Sequence, residues 1–283
     1  MRRNDIVLLD GAIGTGLWEK ADNKVPVWRY NIENPAIVKE LVMEYAEAGS
    51  QIIHTNTFSA NRTTLQRSDY TVQQVVSTAV RLAKEAVGDR AKVSLDVGPL
   101  PMLMEPYGDL SEEEAYEMFD EQISAGVSEK PDLITLETFS DADMLHIAAE
   151  AAAKHGLPIF TMMTFTEVGK TIMGHSVERF VDTMKDLPVT AVGLNCSLGP
   201  DKAVPIIASF RQYTDLPLIF KPNAGKPILA EDGTEKVQYD VDMFVEECMP
   251  ALEFDVKYIG GCCGSSPAYI RALKNRIFGG SGS

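Results

Sequence analysis

The sequence of 283 residues predicts an α/β protein folded as a single-domain (β/α)8 barrel of the TIM type. Three observations predict it. Short apolar runs rich in β-branched residues alternate along the chain with longer helical patterns. The runs number eight, and several are apolar throughout, as parallel strands covered on both faces require. No shift of composition marks a linker, and the first strand–helix turn, Asp10-Gly11-Ala12-Ile13-Gly14-Thr15-Gly16, lacks the GxGxxG spacing of an open dinucleotide-binding sheet. The barrel is expected to span residues 1–278. The remaining residues, Gly279 to Ser283, read as a flexible tail.

The expected strands are Ile6–Asp10, Gln51–Asn56, Lys92–Gly98, Asp132–Glu137, Pro158–Phe165, Thr190–Asn195, Leu216–Pro222 and Lys257–Gly260. Helices fall between them. Asn34 is placed to cap one with Pro35 in its first turn. Ser111 and Glu114 have the spacing of a capping box. Asp141 and Ser176 open two more, and Ser266-Pro267 opens the last, which runs to about Arg276.

Composition narrows the function. There are 26 basic and 41 acidic residues, a net charge of −15. Such a chain is a poor ligand for nucleic acid or an anionic membrane. No apolar run is long enough to span a bilayer, and the first residues do not read as a secretory signal. A cytoplasmic chain with reduced thiols is expected, so clustered cysteines point to metal binding or catalysis before disulfides.

In (β/α)8 barrels the active site lies at the C-terminal ends of the strands. Those ends carry Asp10, Thr55-Asn56, Asp96, Glu137, Thr164, Asn195-Cys196, Asn223 and Cys262-Cys263. Three thiolates from two strands suit a tetrahedral zinc ion with one open position. The alternatives are a buried Cys196 and a tight turn or vicinal disulfide at Cys262-Cys263. Asp10 and Glu137 each end an apolar strand and need a partner or a task. They suit a ligand ammonium group, a helix cap or an ion pair in the barrel mouth. The amides near Gly11, Ala12 and Gly14 form a nest for a carboxylate or phosphate. Asn223 is placed to orient a substrate or reach a metal, or simply to make a turn beside Pro222. Cys248 sits in a helical pattern as a core thiol. His54 is expected to point into the barrel, His146 and His155 to lie at the surface, and no histidine has the spacing of a catalytic triad.

Leu9-Asp10-Gly11-Ala12-Ile13-Gly14-Thr15, Thr55-Asn56-Thr57-Phe58, Glu137-Thr138-Phe139, Gly193-Leu194-Asn195-Cys196 and Gly260-Gly261-Cys262-Cys263-Gly264 together resemble the zinc-dependent homocysteine S-methyltransferases. The resemblance runs from Asp10 to the last helix. Asn195 to Pro200 and Lys221-Pro222-Asn223-Ala224-Gly225-Lys226-Pro227 are most similar to the homocysteine-binding domain of cobalamin-dependent methionine synthase. The resemblance implies zinc on Cys196, Cys262 and Cys263, with the homocysteine sulfur as fourth ligand. It implies that Asp10 and Glu137 bind the substrate ammonium and that the amides near Gly11 and Ala12 receive its carboxylate. Thr55, Asn56 and Asn195 are further substrate-contact candidates, and Asn223 would take the open metal position when substrate is absent.

The implied reaction is methyl transfer to the homocysteine thiol, giving methionine, with zinc supplying a thiolate at neutral pH. Full methionine synthases carry folate and cobalamin modules after this domain, whereas this chain ends just after the barrel. Methylcobalamin is therefore expected on a separate corrinoid protein or module. Sulfonium donors, S-methylmethionine or S-adenosylmethionine, form the second class. Betaine is the third, and would want an aromatic cage for which Trp18, Trp28 and Tyr30 are candidates. A non-catalytic zinc or homocysteine-binding module and a Cys262-Cys263 redox switch are the competing functional classes.

Overall fold

The computed structural model describes residues 5–225, 227–229 and 235–279. Lys226, within the motif that follows the seventh strand, and residues 280–283 of the expected tail lie outside them. Eight parallel strands form the expected barrel: β1 (Val7–Leu8), β2 (Ile52–His54), β3 (Lys92–Val97), β4 (Leu133–Phe139), β5 (Ile159–Met163), β6 (Val189–Asn195), β7 (Leu218–Lys221) and β8 (Val256–Ile259). The order is β1-β8-β7-β6-β5-β4-β3-β2. A parallel bridge between Leu9 and Ile52 brings the two edge strands together, supported by the Gln51 N–H donating to the Leu8 carbonyl at 2.7 Å. The barrel thereby avoids an exposed sheet edge. A small antiparallel hairpin, Pro227–Leu229 with Glu235–Val237, follows β7.

Strand parity divides the side chains into two sets. Leu9, Ile52, Leu133, Phe160, Met162, Ala191 and Ile219 pack together inside the barrel. The larger core lies between strands and helices and includes Tyr45, Phe119, Phe139, Phe180, Phe210 and Phe244, all fully buried. Nearer the mouth the inward positions become polar. Ser94 and Thr135 join β3 to β4 through a 2.6 Å hydroxyl pair. His54, Asp96, Glu137 and Lys221 follow, each at or near the C-terminal end of its strand.

Most helix starts follow their local signals. Ser111 and Glu114 make the capping box of Glu112–Val127. Asp141 accepts from the Asp143 N–H and Ser176 from the Arg179 N–H. Asn34 departs from expectation. It occupies the cap position of Pro35–Ala48 but makes no side-chain cap bond. Its own N–H closes the preceding helix on the Tyr30 carbonyl at 3.1 Å, so its backbone serves two helices at once. The last helix, Pro267–Phe278, likewise starts without a side-chain cap and runs two residues beyond Arg276. His146 and His155 are half-buried rather than exposed; His146 Nδ1 lies 3.0 Å from the Thr183 carbonyl.

Candidate active site

The three cysteines meet at the barrel mouth. Their sulfurs all lie within 4.8 Å of one another. Cys196 follows β6, and both it and Ser197 have positive φ, 59° and 61°. Such a left-handed pair in non-glycine residues costs about 1–2 kcal/mol per residue. It is held by the Cys196 N–H on the Lys221 carbonyl at 3.0 Å and the Leu198 N–H on the Cys196 carbonyl at 2.7 Å. The turn delivers the Cys196 sulfur to Cys262 and Cys263, which follow β8. There Gly11 and Gly261 allow the exits of β1 and β8 to meet, because a Cβ on either would fall 2.6 or 2.4 Å from Ser265 Oγ. Ser265 Oγ accepts from the Ala12 N–H at 3.2 Å and donates to the Cys262 carbonyl at 2.6 Å.

All four cysteines are free, which sets aside a vicinal disulfide in this structure. Cys248 is buried in an outer helix, as expected, and burial pushes its thiol well above the ordinary value. The other three behave as one unit. Hydrogen bonds from Cys262 and Cys263, with further ones from the Ser197 N–H and Asn223, pull Cys196 down to about 3. Cys262 and Cys263 are pushed up in turn by the bonds they make to Cys196.

The donor set fits a tetrahedral thiophilic ion. Metal–sulfur bonds of about 2.3 Å require sulfur–sulfur edges of about 3.8 Å, and Cys196 and Cys263 stand 3.7 Å apart. Asn223, hydrogen-bonded to Cys196, keeps its buried Oδ1 without a partner. Asn195 orients Cys262: its Nδ2 donates to the sulfur at 3.7 Å and to Thr138 Oγ1 at 2.7 Å, while its Oδ1 accepts the Thr138 N–H at 2.8 Å.

A cavity of about 280 Å³ opens beside the thiols. It is lined by Gly11, Ala12, His54, Thr55, Asn56, Asp96, Glu137, Lys221 and the three cysteines, among others. Thr55 and Asn56 are engaged with the scaffold. Thr55 Oγ1 accepts the Asp96 N–H at 3.1 Å, and Asn56 Nδ2 donates to the Val27 carbonyl and Asn31 Oδ1. The helix Ile13–Lys20 has no side-chain cap, and Ile13, Gly14 and Thr15 in its first turn line the cavity, which puts the positive end of its dipole at this wall. Of the three aromatic candidates, Trp28 and Tyr30 are buried in the core, and Trp18 alone lines the cavity, as does Phe58.

Beneath the cavity lies a charge cluster that sequence reasoning only partly found. Asp10 is fully buried. Its Oδ2 accepts the His54 N–H at 2.8 Å, and its Oδ1 lies 2.6 Å from His54 Nδ1. Lys221 Nζ stands 3.4 Å from Asp10 Oδ1 and 3.2 Å from Glu137 Oε2. Burial alone would raise the Asp10 pKa, but the fields of His54 and Lys221 and the bonds from His54 outweigh it and bring it to about 2. Burial alone would likewise lower the Lys221 pKa, but the charges of Glu137 and Asp10 outweigh it and hold Lys221 firmly protonated. The ion pair in the barrel mouth foreseen as one use of the two acids is present, and its partner is the protein's own lysine. Lys221 carried the same signal as Asp10 and Glu137: a charge ending an apolar strand.

Fold and site together define a (β/α)8 barrel with a three-cysteine cluster at its C-terminal face. The chain belongs to the homocysteine S-methyltransferase family, whose model matches residues 7–277. It is similar to the methionine synthases of Mycobacterium tuberculosis, at 28% identity, and Mycobacterium leprae, at 26%. Each alignment covers 95% of this chain and 24% of the relative, so the chain spans about a quarter of the length of these curated relatives. Among solved structures, the metallated form of the homocysteine methyltransferase MmuM from Escherichia coli shares the fold, with a TM-score of 0.81 at 22% identity over 96% of both chains. Its oxidized form matches equally well. Among the described residues, no helix is long and apolar enough to cross a membrane.

Proposed function

We propose that this protein methylates the thiol of homocysteine to give methionine, using zinc held by Cys196, Cys262 and Cys263. The observation that carries the reading is the convergence of three sulfurs within 4.8 Å beside a cavity of amino-acid size. Zinc, when bound, would keep the acceptor thiol ionised at neutral pH. The chain's own residues bind and orient. Glu137 faces the ammonium of the acceptor, with Asp10 behind it fixing Lys221 and His54. The uncapped amides that follow Gly11 and Ala12 receive the carboxylate. Asn195 and Asn223 hold the cysteines, and Thr55 and Asn56 shape the wall. Together these contacts point the thiol at the metal-binding sulfurs, and positioning of that kind is the protein's main contribution to rate.

For the donor, we favour a methyl-corrinoid carried by a separate protein or module. The support is the likeness of the segments around Cys196 and Asn223 to cobalamin-dependent methionine synthase, together with the methionine synthases among the relatives. Three free cysteines poised for a metal need a reducing compartment, which supports a cytoplasmic setting. The test is methionine formation from homocysteine by zinc-loaded protein under anaerobic conditions, with methylcobalamin and S-methylmethionine as parallel donors. Product from methylcobalamin supports the corrinoid reading. Product from S-methylmethionine alone replaces it with a sulfonium donor, and product from neither leaves a non-catalytic binding module.

A further inference from the structure

A buried knot of hydrogen bonds ties the exit of β1 to the exit of β8. Ser265 and Tyr45 form it, and both are buried. A serine hydroxyl has one proton to give and lone pairs to accept with. Ser265 donates to the Cys262 carbonyl at 2.6 Å and accepts the Ala12 N–H at 3.2 Å. Tyr45, from the helix Pro35–Ala48, donates to the Ala12 carbonyl at 3.0 Å, and the Ser265 carbonyl lies 3.3 Å from the same phenol oxygen. Ala12 is therefore held at both of its backbone groups. It immediately precedes Ile13, Gly14 and Thr15, the helical turn that lines the cavity. A Cβ on Gly11 would stand 2.8 Å from the Tyr45 hydroxyl as well as against Ser265, so the knot is closed on that side.

One hydroxyl thus joins the turn that carries Cys262 and Cys263 to the turn that walls the cavity. The joint is short, a single side chain lying between the Cys262 carbonyl and the Ala12 amide. Breaking either bond would leave a polar group unsatisfied in the interior, so the two turns shift together or not at all. Metal–thiolate bonds would draw Cys262 and Cys263 onto Cys196 more firmly than the thiol contact of Cys196 with Cys263 at 3.7 Å. We propose that Ser265, steadied by Tyr45, is a positioning residue that couples the two sites. A metal on the three sulfurs fixes the Cys262 carbonyl, and Ser265 carries that order to Ala12 and the first helical turn. This rests on the zinc and homocysteine reading above. Such coupling is reciprocal, so an acceptor held by the same turn steadies the metal loop in return.

The test is hydrogen–deuterium exchange of the whole protein, read by mass spectrometry with and without zinc. In wild type, zinc should slow exchange at residues 260–265 and also at residues 9–17, by about 5- to 150-fold, the usual range for coupled sites. The helix Ala142–Ala153, which follows β4, should exchange alike in both states and so verify that the barrel stays folded. Ser265→Ala should keep the zinc effect at 260–265 and lose it at 9–17. Ser265→Thr, which retains the hydroxyl, should keep both. A zinc effect confined to 260–265 in wild type, or one at 9–17 that survives in Ser265→Ala, would overturn the coupling. If zinc alters exchange at neither segment, the metal reading fails first and takes the coupling with it.

Discussion

Lys221 Nζ lies 3.2 Å from Glu137 Oε2, so the residue that ends the seventh strand neutralises one two residues short of the end of the fourth. The pair is buried, with side-chain exposures of 3% and 10%. Breaking a buried pair leaves an uncompensated charge, and the loss is typically about 3–5 kcal/mol. Lys221→Met should therefore lower unfolding stability by about that amount in urea titrations, since Asp10 loses the same partner. A change below about 1 kcal/mol would show that water already screens the pair.

Asp10 sets an acid limit. Its pKa is depressed to about 2 in the folded state, against an ordinary 3.8. A depressed carboxyl stabilises fully above the unfolded value and loses that contribution as pH falls through the folded one. Wild type should lose stability between about pH 4 and pH 2, and Asp10→Asn should lose less across the same window. Parallel melting curves would contradict the assignment.

Asp96 works in the opposite sense. Its folded pKa is raised, so it disfavours the folded state increasingly as pH rises above the unfolded value. Asp96→Asn should melt higher than wild type at pH 8, with a smaller difference at pH 4. A variant less stable at both pH values would mean that the carboxyl has a structural partner.

Asn195 supports the thiol centre through Thr138 and Cys262. Removing such a support usually costs about 10- to 100-fold in metal affinity. Asn195→Ala should show this loss in competition with a chromophoric chelator, whereas Cys263→Ser should lose the metal outright and Cys248→Ala should keep it. Equal retention in all three would place the metal elsewhere.

Much of this was legible in the residues. Apolar runs closed by Asp10, Glu137, Asn195 and Cys262 announce both the strands and the rim, because a barrel puts strand ends together whatever their distance in sequence. The ion pair between Lys221 and the two acids was less legible. A charge at a strand end declares that it needs a partner, but strand stagger decides which of several candidates it meets. Asn34 shows the same limit at a helix start: the residue type marks a boundary, while its backbone bond to Tyr30 comes from the neighbouring helix.

The most direct measurement is zinc K-edge X-ray absorption on the zinc-loaded protein before and after L-homocysteine is added. Three cysteine sulfurs should be seen first, with one further sulfur on addition of homocysteine and none on addition of L-homoserine. A sulfur shell that homocysteine leaves unchanged, in protein that holds its full zinc, would contradict a three-cysteine centre completed by the acceptor thiol.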